Sequence, residues 1–372
     1  MRFQAIFPTV LAPIALIASG CGGDDSPAPP PVQGPTPNPS PTPTPTPTPT
    51  TSVRFEPVIG AIEAYQDNDF AVLVGDGSGT IFTYTKGVFQ LDQQRAIASA
   101  SKWLTATTIM RLVDQGLLSL ADNPQTYLTY WTSDAMDDRS RVTLEQLLSF
   151  TSGFNARPGS LGCVNTGASA LQNCVRSIYD DGLDAVPGDT YSYGPEHMQI
   201  AAAMAEVATG KAYGDIFVEQ ISIPLGLSNA SRFVSPSLTN PLASGGAAST
   251  AEDYALFLTK LLADEIVADR ATLLADRTNS VAIEFRPQGA SEFGDWHYAL
   301  GAFVECDNPS FDADCADDRI YSSPGSFGWT PWIDLENGYW GLIARRGERN
   351  TARVAVELEQ QLQPLIVAAL AN

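Results

Sequence analysis

The chain has 372 residues, with 42 Asp and Glu against 21 Lys and Arg, for a formal net charge of −21. That excess of negative charge argues against nucleic acid and anionic membrane as partners. With only two histidines, His197 and His297, and neither at ligand spacing from a cysteine, no metal and no other cofactor is expected.

Residues 1–20 carry one early positive charge, Arg2, and then an apolar run from Ala5 to Ile17. The run is short and broken by Pro8 and Pro13, so it reads as a secretory signal and not as a spanning helix. Ala18-Ser19-Gly20 directly before Cys21 resembles a bacterial lipoprotein signal, which implies cleavage before Cys21 and lipid on its sulfur. Residues 21–52 then form a Pro/Thr-rich linker that cannot bury apolar surface and stays extended. The expected arrangement is an envelope lipoprotein, on the outer membrane, whose domain over 53–372 is held off by a stalk. Its only membrane contact is the lipid, and it is expected to be a monomer. The other four of the five cysteines fall in two close pairs. Four cysteines allow three connectivities, and local pairing, Cys163–Cys174 and Cys306–Cys315, is expected in an exported chain.

Within 53–372 a helix is predicted over 55–67, followed by strands at 70–74 and 80–84. The glycine-rich stretch 75–79 joins two strands with no helix after it, so it reads as a hairpin turn and not a phosphate loop. A helix over 98–116 has apolar residues Leu104, Ile109, Leu112 and Val113 at three- and four-residue spacings, with Gly116 as a stop. Further helices are predicted at 142–148, 198–209, 213–223 and 250–263. Strands follow at 297–304, 318–322, 328–334 and 339–344, and a last helix at 351–369. Strands, a block of helices, then strands and a helix predict an α+β fold. Its antiparallel sheet is built from both chain ends with flanking helices, beside an all-helical lobe, and the active site lies in the cleft between them.

The residues that carry chemistry open the 98–116 helix. Ser99 and Lys102 are three apart and share one face about a turn from each other. A serine hydroxyl is a poor nucleophile until a base takes its proton, and a lysine among apolar side chains is pushed toward the neutral amine that can be that base. Backbone N–H groups at the helix start suit a developing oxyanion. The absence of Gly-x-Ser-x-Gly and the scarcity of histidine argue against an α/β-hydrolase.

Five ordered segments resemble one family. They are Ser99-Ala100-Ser101-Lys102 leading into Ile109-Met110-Arg111-Leu112-Val113, the leucine-rich stretch 144–153 ending in Thr151-Ser152-Gly153, Pro187-Gly188-Asp189-Thr190-Tyr191-Ser192-Tyr193, the segment 243–253, and Ser323-Pro324-Gly325-Ser326. The chain over 55–372 is similar to the serine β-lactamase and penicillin-binding hydrolases, in the branch of the class C β-lactamases and related esterases. The resemblance implies Ser99 as nucleophile, Lys102 as its proton acceptor and Tyr193 as the proton relay to the leaving group. It implies an oxyanion hole from the backbone N–H groups of Ser99 and Ser326, the latter on a strand.

Two positions depart from the family pattern. Pro195 stands where the second motif has asparagine, with Glu196 or His197 as replacements, and Ser323 stands where the third motif has lysine or histidine. Arg345 and Arg346 are the nearest candidates for the missing positive charge. His197, Ser323, Gly325 and Trp329 are candidate substrate contacts; Trp329, Trp332 and Trp340 otherwise read as sheet packing. The expected activity is hydrolysis through an acyl-enzyme on Ser99, with esters or small amides first and cell-wall or D-amino acid peptides next. A class C-type β-lactamase and a catalytically silent domain that binds cell-wall peptide or a partner are the alternatives.

The anchor has a direct test. Cys21→Ala is expected to release the protein from membranes or to block its processing; a normally processed, membrane-bound variant would refute the lipid.

Overall fold

The computed structural model describes residues 53–154, 162–279, 281–285, 296–305 and 319–371. Residues 1–52 with Cys21, and Cys306 and Cys315, lie outside the described residues. Of the two expected disulfides, Cys163–Cys174 is formed.

An apolar strand without alternation needs cover on both faces. β1 (Phe70–Asp76) is such a strand: Phe70, Val72 and Val74 enter one core, and Ala71 and Leu73 enter another. It forms a hairpin with β2 (Gly79–Lys86) after the N-terminal helix α1 (Glu56–Ala64). The short β3 (Arg95–Ala96) then leads through a single 3₁₀ turn, Ala98–Ala100, into α2 (Ser101–Asp114).

The middle of the chain supplies α3 (Leu144–Leu148), α4 (Leu171–Asp181), β4 (Thr190–Ser192), α5 (Pro195–Thr209), α6 (Tyr213–Phe217) and α7 (Ile223–Leu225). β5 (Arg232–Phe233), β6 (Ala247–Ser249), α8 (Ala251–Leu262), α9 (Arg270–Leu274) and β7 (Ala282–Phe285) follow. The C-terminal part runs β8 (His297–Tyr298), β9 (Phe303–Val304), β10 (Ile320–Ser322), β11 (Thr330–Asp334), β12 (Tyr339–Arg345) and α10 (Ala352–Leu370).

Seven of these strands make one antiparallel sheet in the order β2-β1-β12-β11-β10-β9-β8. β1 lies directly against β12, Phe70 opposite Arg345 and Gly75 opposite Trp340, so both chain ends build the centre of the sheet. Val58 and Ile62 of α1 and Leu358, Leu362 and Ile366 of α10 cover one face together with Trp332 and Ile343. Gly341 permits this packing: a Cβ there would lie 2.0 Å from the Trp332 ring. The other face carries Trp340, Leu342 and Ala344 and meets α8 and the helical lobe. The fold is α+β, as expected from the element order.

Local signals set the helix ends. Thr143 and Gln146 form a reciprocal capping box at the start of α3. Pro195 occupies the first turn of α5, and Gly210 ends it in the left-handed conformation. α2 is buried along nearly its whole length, so its polar residues need internal partners. Thr107 and Thr108 find them by donating to the carbonyls of Trp103 and Leu104 one turn back.

One expected strand is divided. Residues 297–304 form β8 and β9 around a turn, closed by Ala299 N–H donating to the Ala302 carbonyl at 2.9 Å. The break lies where the chain presses against the carbonyl of Lys102 on α2.

Between the sheet and α10 two carboxyl groups are buried against each other. Glu305 and Glu359 are hydrogen-bonded, and Gln363 Nε2 donates to Glu305 Oε2 at 3.0 Å. Burial raises both above the usual carboxylate range, with Glu305 adding to the effect on Glu359 and the buried Asp334 of β11 to that on Glu305. A carboxyl raised on folding stabilises below its unfolded value of 4.5, and that contribution is lost as pH rises through the folded value. Glu359→Gln is therefore expected to gain stability relative to wild type as pH rises from acid to alkaline. Denaturant titrations at several pH values give the difference; one that did not grow with pH would show that folding does not raise the Glu359 carboxyl.

Candidate active site

The site is built on the 3₁₀ turn that precedes α2. Ala98 is held at a φ of +47, a left-handed conformation that a residue with a Cβ adopts only when its surroundings impose it. Those surroundings are strand pairing and hydrogen bonds. β3 pairs with β6, and Ile97 N–H donates to the Ala247 carbonyl at 3.2 Å. Ser101 Oγ donates to the Ala98 carbonyl at 2.6 Å and accepts from Ala247 N–H at 3.0 Å. Tyr254 of α8 donates its hydroxyl to the Ala100 carbonyl at 2.9 Å. The turn lifts Ser99 into a half-buried position while Ser101 and Lys102 point inward.

Lys102 Nζ lies 2.9 Å from Ser99 Oγ and donates to the Ser244 carbonyl at 2.7 Å. The side chain is 4 % exposed. Burial alone pushes its amine down to about 7, so at neutral pH a large share is unprotonated. Tyr193, between β4 and α5, hydrogen-bonds Ser99, and its ring centroid lies 4.6 Å from Lys102 Nζ. Burial raises the Tyr193 hydroxyl far above the ordinary tyrosine value, which keeps it a phenol. Phe150, Tyr298 and Phe303 enclose this ring at centroid distances of 5.1, 6.1 and 5.9 Å. Ser99, Lys102 and Tyr193, distant in sequence, are thus one constellation.

The third-motif segment also meets this turn. Ser323 Oγ lies 3.3 Å from the carbonyls of both Ser99 and Gly301, and its single proton is shared between them. Gly325 is needed for the approach, because a Cβ there would sit 2.2 Å from the Ile97 carbonyl oxygen. Ser326 stands in a turn and not on a strand. β11 begins only at Thr330, because Gly325 N–H donates to the Trp329 carbonyl and Gly328 N–H to the Gly325 carbonyl, closing the loop on itself.

Other candidates are engaged by partners of their own. Trp329 is fully buried against the Tyr254 ring at 6.0 Å, and Trp332 and Trp340 are sheet packing. Arg345 is tied to Asp67, to the Phe327 carbonyl and to Thr351, and Arg346 lies 4.1 Å over the Phe327 ring. His197 is fully buried with both ring nitrogens engaged, Nδ1 2.8 Å from Ser152 Oγ and Nε2 2.9 Å from the Ser192 carbonyl, so it offers a substrate no polar atom. Glu196 faces a separate cavity of about 310 Å³ that also meets Phe154, Asp181 and Asp184. Burial pushes its carboxyl up to about 7 there. Sequence reasoning did not single out Ser244, whose contribution is a backbone carbonyl and which no side-chain pattern could reveal.

Comparison with known proteins bears on this geometry. The beta-lactamase family matches residues 61–372. Penicillin-binding protein 4 of Amycolatopsis lactamdurans is 31% identical over 171 residues, 45% of this chain and 42% of that protein. The chain thus spans less than half the length of this curated relative. Among solved structures, one of a Bacteroides dorei protein assigned as a β-lactamase has a TM-score of 0.70 at 27% identity, covering 82% of this chain and 98% of that one. EstCE1, described as a hydrolase with promiscuous acyltransferase activity, has a TM-score of 0.67 at 17% identity, covering 84% of this chain and 97% of its own.

The tight approach at Gly325 can be checked. Gly325→Ala is expected to destabilise the protein by about 1–3 kcal/mol, the usual cost of overpacking, and to lower any activity that needs the turn at Ala98. Chemical denaturation with a parallel rate assay measures both; wild-type stability would mean that the contact relaxes freely.

Proposed function

The chain belongs to the β-lactamase family of serine hydrolases, and from that premise we propose that it cleaves neutral esters, or small amides, through an acyl-enzyme on Ser99. The observation that carries this reading is the buried Lys102 amine, 2.9 Å from Ser99 Oγ, with the Tyr193 phenol on the same serine. Lys102 takes the Ser99 proton as Oγ bonds to the substrate carbonyl carbon. The carbonyl oxygen becomes an oxyanion, which the backbone N–H groups of Ser99 and Ser326 are assigned to hold. As the intermediate collapses, the bond to the leaving oxygen breaks. Tyr193 gives that oxygen its proton and regains one from the Lys102 ammonium. Water then attacks the ester on Ser99 by the same route in reverse, releasing the acid and restoring the serine.

The choice of esters rests on what surrounds the serine. β-Lactams of the common kind carry a carboxylate, and a carboxylate needs a cation. Ser323 occupies the position of the family's cation, and Arg345 is committed to Asp67. Pro195 likewise has no side-chain donor for a substrate amide. Tethering through a lipid on Cys21, with the domain exported to the envelope, belongs to the same reading.

The test uses the full-length chain with p-nitrophenyl esters, nitrocefin and D-amino acid anilides. Ester turnover is expected to exceed nitrocefin turnover, to vanish in Ser99→Ala, and to rise with pH through about 7 as Lys102 loses its proton. Glu196→Gln should leave that inflection in place, which separates the two groups that titrate there. A fluorophosphonate should modify Ser99 alone by peptide mapping. An adduct elsewhere, or full turnover in Ser99→Ala, would remove the nucleophile; faster nitrocefin turnover would make it a β-lactamase.

A further inference from the structure

His197 ties together two pieces of chain that flank Tyr193. The Ser192 carbonyl can only accept, so His197 Nε2 carries the proton, and Nδ1 must accept from the Ser152 hydroxyl. The ring is therefore a neutral strut with one donor end and one acceptor end. Burial pushes its pKa down to about 3, so it keeps this form over the whole working range. One end is anchored in the 150–153 segment after α3, the other on the residue immediately before Tyr193.

The neighbouring contacts follow the same line. Phe150, four residues after the middle of α3, is held at a φ of +60 and donates no side-chain bond, yet its ring meets His197 at 5.1 Å and Tyr193 at 5.1 Å. Ser192 N–H donates to the Phe150 carbonyl at 2.9 Å, and Gly188 N–H to the Thr151 carbonyl at 2.7 Å. The backbone before Tyr193 is thus laced to the 150–153 segment, and His197 adds a side-chain hydrogen-bond link that is buried at both ends. Resting on the reading of Ser99, Lys102 and Tyr193 given above, we infer that His197, with Ser152, is a positioning residue that fixes the Tyr193 phenol on Ser99. It touches neither substrate nor the reacting atoms. Its effect is exerted through the Ser192 carbonyl, since a tyrosine free to swing by even a fraction of an ångström loses its place in the proton relay.

The experiment is a double-mutant cycle on the full-length chain, read as kcat and KM for a p-nitrophenyl ester and as the rate of fluorophosphonate labelling. His197→Leu is expected to lower kcat by about tenfold or more with KM changed less than about twofold. In a Tyr193→Phe background the same change should cost less than about twofold further, because the group it positions is already gone. His197→Gln, which keeps one donor and one acceptor, should recover much of kcat. Thermal unfolding identifies any variant that does not fold, and Ser152→Ala, a smaller change that removes one end of the strut, then takes its place with the same expectation. Losses that multiply in the Tyr193→Phe background would overturn the inference alone and leave His197 as packing, as would wild-type kcat in a folded His197→Leu. Wild-type kcat in Tyr193→Phe would instead bring down the reading of Tyr193 itself, and this inference with it.

Discussion

An amine enclosed without a carboxylate is the demand that the active-site region answers. Moving Lys102 from its ordinary 10.5 to about 7 corresponds to a cost on the order of 5 kcal/mol below that pH, relieved as pH rises toward the ordinary value. That is a large share of the net stability of a typical domain. The surroundings offset it without restoring the charge. Nζ meets a hydroxyl, a carbonyl and an aromatic face, each able to serve either protonation state. A carboxylate in place of any of these would stabilise the ammonium and hold the amine charged.

The walls of the region divide labour accordingly. α2 and the turn before it provide the serine and the lysine; β6 and α8 hold the turn; α5 and the 150–153 segment hold the tyrosine; the loop after β10 closes the fourth side. The loop contributes hydroxyls and backbone where a cation might have stood. Two cationic side chains brace its far end: Arg345 donates to the Phe327 carbonyl and Arg346 covers the Phe327 ring. The same residue type therefore supports the loop's shape and not its charge.

Much of this was legible in the sequence, and the reasons are physical. The order of strands and helices, the uninterrupted apolar run of β1 and the Ser-x-x-Lys at a helix start each express a local rule. The limits of α8 and α10 fall within a residue of the expected positions, and α2 begins three residues late because a 3₁₀ turn precedes it. What stayed illegible depends on contacts between distant segments. A histidine at a helix start reads equally as ligand, cap or core, and only the Ser152 and Ser192 contacts place His197 inside. Ser326 falls in a turn because of two backbone bonds that no side-chain pattern announces, and Trp329 is turned inward by Tyr254. The Glu305–Glu359 pair is hidden for the same reason, since neither glutamate has a distinguishing neighbour in sequence.

The pairing of β1 with β12 has a kinetic side. Its partners are roughly 270 residues apart, so the central ladder of the sheet closes only after almost the whole chain is available. Until then β1 has one hydrogen-bonding edge open beside an apolar surface, the kind of edge that invites pairing with another chain. The loop that carries Ser323 and Gly325 joins β10 to β11, late in the chain, so it too reaches the Ala98 turn late. A nascent chain would thus hold its serine and lysine close in sequence, at the turn before α2 and in its first turn, long before they are enclosed, with the amine still solvated and therefore still charged. On the reading proposed for Ser99, reactivity in such a chain waits for closure of the sheet.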